Sequence, residues 1–113
     1  MLPKKNRLIS RDTFADLKTA GRKYQSSSFA LLYKENKLES SRFGFIVSKR
    51  VSLKATERNL IKRRLGEATA KTIPSFSRNF DFLFLTKNEI LGKSLLEIEK
   101  EVVDLFKRLG LTK

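Results

Sequence analysis

Apolar positions recur along this chain with helical spacing in some stretches and strict alternation in others, and polar punctuation separates them. Before Gly21, Ser10 is placed to cap a helix, Asp12 sits near the positive end of its dipole, and Ile9 and Phe14 have the spacing of a hydrophobic staple. Gly21 stops that helix. From about Arg22 to Lys34 the pattern is extended and closes on Phe29-Ala30-Leu31-Leu32-Tyr33, after which Glu35-Asn36-Lys37 reads as a polar turn. The alternation from Arg42 to Val51 predicts a strand with Phe43, Phe45 and Val47 on one face and Arg42, Gly44, Ile46 and Ser48 on the other. A second helix is predicted from about Ala55 to Thr72, because Ile61, Leu65, Ala68 and Thr72 share a stripe, and it ends before Pro74. Phe80 to Thr86 is apolar enough for a central strand. Ser94 and Glu97 form a capping box for a last helix carrying Leu95, Ile98, Val102, Leu105 and Leu109 before Gly110. The order is helix, two or three strands, helix, strand, helix: an α/β sandwich with a mainly antiparallel hairpin and one crossover. With no internal repeat or interdomain linker, residues 1–113 read as a single RNA-binding domain once their charge is considered.

That charge is uneven. Lys and Arg number 25 against 12 Asp and Glu, a formal net charge of +13. Residues 1–25 carry +5, residues 26–41 zero, residues 42–66 +7 and residues 67–113 +1. A merely soluble surface mixes its signs, as the C-terminal part does. Two concentrated basic stretches point instead to a polyanion, since Lys and Arg gain affinity by releasing condensed counterions from phosphates. An anionic membrane is the weaker alternative, because neither stretch predicts a helix with a broad Leu, Trp or Phe face. No signal peptide or membrane span is read, and the absence of cysteine fits a reducing, cytoplasmic setting.

Residue types also limit the chemistry. There is no His and no Cys, which excludes Ser-His-Asp triads, histidine nucleases, zinc-thiolate sites and disulfides. A protein-only nuclease would need clustered carboxylates for two metals. Asp12 has a capping role, and Glu97, Glu99 and Glu101 lie among Lys93, Lys100 and Lys107, so no catalytic residue is assigned within the chain.

The informative segment is Lys54 to Leu65. On a helix, taking Arg58 as zero, Lys62 falls near 40°, Asn59 near 100° and Arg63 near 140°, while Ile61, Leu65 and Ala68 cluster at roughly 280–340°. One face docks and the adjoining face is cationic. Arg58 and Lys62 can address phosphates along a groove, and Asn59 adds a donor and acceptor for a ribose or base edge. The bland alternative is a solvated helix face, but Glu57 and Glu67 are too few to neutralise the cations around them.

Arg58-Asn59-Leu60-Ile61-Lys62-Arg63-Arg64-Leu65-Gly66-Glu67-Ala68, preceded by Phe43-Gly44-Phe45-Ile46-Val47-Ser48-Lys49-Arg50-Val51, resembles the bacterial ribonuclease P protein component. The resemblance extends to Leu2-Pro3-Lys4-Lys5-Asn6-Arg7-Leu8, Asp12-Thr13-Phe14, Gly21, the Phe29 strand, Phe82-Leu83-Phe84-Leu85 and the closing amphipathic helix. It implies an α+β sandwich of order αβββαβα, with a four-stranded mixed sheet and a basic helix making a left-handed crossover, the ribosomal protein S5 domain 2-like arrangement. It also implies a protein that binds the catalytic ribonuclease P RNA through Arg58, Asn59, Lys62 and Arg63. The 5′ leader of precursor tRNA is then held in a cleft formed by Phe14, Ser48, Lys49 and Arg50. Endonucleolytic leader removal is carried by the RNA with magnesium, with one protein per RNA. Three positions depart from the family pattern: Leu60 and Gly66 replace basic residues of the helix, and Lys18 stands where a second cleft aromatic is expected. On spacing alone Phe14 reads first as a core residue, the staple partner of Ile9, and it is the resemblance that brings base stacking level with that reading. A ribosomal or assembly RNA-binding protein is the rival reading, and a DNA-binding module is weaker because no helix-turn partner precedes the basic helix.

Overall fold

The structure is a computed structural model that describes residues 2–8, 11–76 and 78–112, with Arg11 described in its backbone only. The proposed cap Ser10 and staple residue Ile9 lie outside the described residues. Helix α1 spans Arg11–Ala20, strands β1, β2 and β3 span Arg22–Gln25, Phe29–Glu35 and Arg42–Ile46, α2 spans Ala55–Ala70, β4 spans Phe80–Thr86 and α3 spans Leu95–Arg108. This is the expected order αβββαβα. The strands form one mixed sheet in the order β1-β2-β4-β3: β1 and β4 both pair antiparallel to β2, and β3 pairs parallel to β4. Parallel neighbours cannot be joined by a tight hairpin, so the chain from β3 to β4 must cross over, and α2 is that crossover.

Alternation divides each strand between two cores. Phe29, Leu31, Phe43, Phe82 and Phe84 face α2 and α3, whose Ile61, Leu65, Ala68, Ile98, Val102 and Phe106 complete the larger core. Its aromatic rings are in direct contact: Phe43 stacks on Phe82 with centroids 5.1 Å apart, and Phe106 approaches Phe82 at 4.9 Å. The opposite face carries a smaller cluster of Leu8, Leu17, Leu32 and Leu83, with half-buried Phe14, Ile46 and Leu85 against it. Here α1 rests on the sheet. Gly44 lets it approach closely, since a Cβ on Gly44 would lie 3.1 Å from Phe14 Cε1 and 3.2 Å from the Leu8 carbonyl oxygen.

Polar contacts set the register and the ends. Arg42 and Asp81, opposed across β3 and β4, form a two-pronged ion pair at 2.8 and 2.7 Å, and Asn36 donates to the same carboxylate at 2.9 Å. The hydrogen bond to Asp81 raises the pKa of Arg42 against the effect of its burial. Ser94 and Glu97 make the predicted capping box, and Gly110 ends the last turn at φ 70°, a conformation that costs glycine little. Two boundaries differ from the sequence reading. Helix α2 ends at Ala70 rather than Thr72, where the Thr72 hydroxyl donates to the Thr69 carbonyl ahead of Pro74. Strand β3 ends at Ile46 rather than Val51, because the Ser48 carbonyl accepts from the Val51 N–H at 3.1 Å and folds residues 48–51 into a turn.

The β1–β2 turn is tied to α3 through Glu101. Its carboxylate accepts from the Ser26 hydroxyl, from the Ser28 hydroxyl at 2.6 Å and from the Ser28 N–H at 3.0 Å, with Lys93 Nζ 3.4 Å away. Burial opposes its ionisation, but these hydrogen bonds and the Lys93 charge together bring its pKa below the ordinary glutamate value. Such a group stabilises the fold fully above the ordinary carboxylate pKa, and that contribution is lost as pH falls through the lowered value. Glu101→Gln should therefore melt below the parent at pH 7, with the gap closing as pH drops beneath about 4, which thermal melts across that range will measure.

Candidate nucleic-acid interface

Helix α2 lies on the larger core through Ile61, Leu65 and Ala68, all buried, and this orients the rest of its circumference. Asn59, Lys62 and Arg63 are exposed and have no hydrogen bond or ion pair among the described residues. Arg58 is different. It is half-buried, and its Nη1 donates to the Ser52 carbonyl at 3.0 Å, so it braces the loop that leads into α2 while sharing the cationic side. The Ser52 hydroxyl accepts from the Lys54 N–H at 3.1 Å, which completes that brace. Arg64 leaves this side altogether, donating to the Lys93 carbonyl at 2.7 Å, as its angular position on the helix requires.

The ion pairs of the protein concentrate the free charge further. They engage Lys34, Arg42, Lys71, Arg78 and Lys93, whereas Lys49, Arg50, Lys54, Lys62 and Arg63 are unpaired among the described residues. Unpaired cations attract a polyanion without first breaking an internal contact. No group of three acidic side chains among the described residues is placed to hold a metal ion. No helix among them is long and apolar enough to cross a membrane.

The second set of predicted residues belongs to the other face of the sheet. Phe14 is half-buried on the small cluster beside Ile46 and Leu85, so it packs on the sheet and keeps part of its ring surface open. Ser48, Lys49 and Arg50 are exposed at the turn beyond β3, not on the strand itself. Lys18, one turn beyond Phe14, is exposed. The two sets therefore do not form one cluster: α2 covers one face, Phe14 the other, and the loop from 47 to 54 runs between them.

The structure adds residues that spacing did not single out. Arg7 lies beside Lys62 and Arg63 around a groove between α2 and the N-terminal segment, which is held to β3 by the Leu8 N–H donating to the Phe43 carbonyl at 2.9 Å. The basic N-terminal stretch was visible in the charge count, but nothing local indicated where it would lie.

Comparison with known proteins agrees with this architecture. The family model described as Ribonuclease P matches residues 2–110. The ribonuclease P protein component of Desulfosudis oleivorans is 34% identical over 103 residues, covering 91% of this chain and 84% of that protein. That of Fusobacterium nucleatum is 35% identical over 107 residues, covering 90% of this chain and 95% of that protein. The solved Staphylococcus aureus RNase P protein superposes with a TM-score of 0.84 at 21% identity, over 96% of this chain and 98% of its own, and so shares the fold. With the match running through the sheet, the crossover helix and the closing helix alike, the chain belongs to the ribonuclease P protein component family.

Proposed function

We propose that this chain is the protein subunit of a ribonuclease P holoenzyme, docking through α2 on the catalytic RNA and holding the 5′ leader of precursor tRNA on the opposite face of the sheet. The observation that carries this reading is the pairing of unpaired Asn59, Lys62 and Arg63 on a rigidly seated helix with a separate open face at Phe14. Arg58 acts both as a brace for the loop before α2 and as a cation toward the RNA. Ser48, Lys49 and Arg50 extend the leader path beyond Ile46, and one protein binds each RNA. Phosphodiester hydrolysis belongs to the RNA, whose bound magnesium supplies the activated water.

Leader release from a precursor tRNA at low magnesium distinguishes the readings. Protein and bacterial ribonuclease P RNA together should cleave strongly where either alone does not; intact RNA binding without stimulation would favour a ribosomal or assembly role, and cleavage by protein alone would place an active site in the chain. Lys62→Ala and Arg63→Ala should each weaken RNA docking and flatten its salt dependence by about one unit of log-log slope for every phosphate the variant no longer neutralises. Equilibrium binding from low to moderate salt provides that slope. Phe14→Ala should leave docking in place and remove part of the affinity gained from a leader, about 1–3 kcal/mol for a stacked base, measured as the difference between leader-bearing and leaderless tRNA.

A further inference from the structure

The groove between α2, the edge of β3 and the N-terminal segment has a volume of about 400 Å³. Leu2, Phe43 and Phe45 provide an apolar floor, and Arg7, Lys62 and Arg63 stand around it with no acidic residue in the lining. Gly66 forms part of the α2 wall. A Cβ built on Gly66 would meet no heavy atom within 4 Å, so packing within the chain does not demand a glycine there. Helix geometry does not demand one either, and glycine costs a helix about 1 kcal/mol relative to alanine. The helix gives up that stability at a position that lines this space.

We propose that this groove receives a single unstacked nucleobase of a single-stranded RNA segment, with the flanking phosphates on Arg7, Lys62 and Arg63. The proposal rests on the RNA-docking reading of α2 and extends it to a base-sized subsite. Charge selects the ligand class: an apolar slot ringed only by cations suits a group with a π-face and anionic flanks. The volume falls within the range of roughly 300–1,000 Å³ typical of small-molecule sites. Because the contacts are to apolar side chains, the partly open Phe45 ring among them, and to phosphates, the slot favours a base over an abasic nucleotide without selecting strongly among bases.

The test titrates the full chain with pentaadenylate RNA and with the same pentamer abasic at its centre, read by fluorescence anisotropy. A Phe14→Ala background removes stacking on the opposite face. Parent protein should bind the complete pentamer about tenfold tighter than the abasic one, the scale of one stacked base. That preference should shrink in Gly66→Ala and vanish in Gly66→Leu, while thermal melts rise in both because the helix gains a better former. Stability rising as base preference falls separates a filled slot from a damaged fold. Equal affinity for the two pentamers in the parent, or a preference that survives Gly66→Leu, would overturn the proposal. Parallel titration with ribonuclease P RNA separates the two levels: no base preference in the parent with intact RNA docking rejects only the slot, whereas absence of RNA docking rejects the reading beneath it.

Discussion

The parallel pairing of β3 with β4 is the constraint on which the remaining architecture depends. It opposes Phe43 to Phe82 and Arg42 to Asp81, so one register places an aromatic stack on one face and a bidentate ion pair on the other. Parallel strands need a crossover, and the crossing segment must bury an apolar stripe against the sheet. In this chain that segment is also the most basic one. Seating Ile61, Leu65 and Ala68 on the core therefore turns Asn59, Lys62 and Arg63 outward, and the position of the cationic face follows from the packing of the apolar one.

The same pairing separates two surfaces. The face under α2 and α3 is closed by a continuous aromatic core, while α1 covers only part of the other and leaves Phe14, Ile46 and Leu85 half-buried. On the function proposed above, such a division would let each of two RNA segments meet its own surface without displacing the other. The turn at Ser48 to Arg50 lies where the two faces meet, at the open end of β3, and Arg58 holds its continuation in place through the Ser52 carbonyl.

Charge is sorted by the fold as well as by the sequence. Asp81, Glu99 and Glu101 take up Arg42, Lys71 and Lys93, all away from the exposed side of α2, and Glu101 gathers the serines of the β1–β2 turn at the same time. These pairs are local fasteners with modest individual weight.

Helical spacing and alternation were enough to place α2, α3 and β4, to assign Phe43 and Phe45 to the core, and to put Arg58, Asn59, Lys62 and Arg63 on one side, because periodicity reports which residues share a face. The end of β3 was not legible: the alternation runs on past Ile46, and only the backbone hydrogen bond from the Val51 N–H to the Ser48 carbonyl shows that the chain has turned. Nor was the double duty of Arg58, the removal of Arg64 to the Lys93 carbonyl, or the meeting of Arg7 with Lys62 and Gly66. Each joins segments distant along the chain or across a loop, and is set by how the helix and the N-terminal segment settle on the sheet. Residue identity and spacing determined which chemistry each element carries; the three-dimensional packing decided which of those elements face one another, because long-range contacts depend on the shape of the core and leave no periodic trace in the chain.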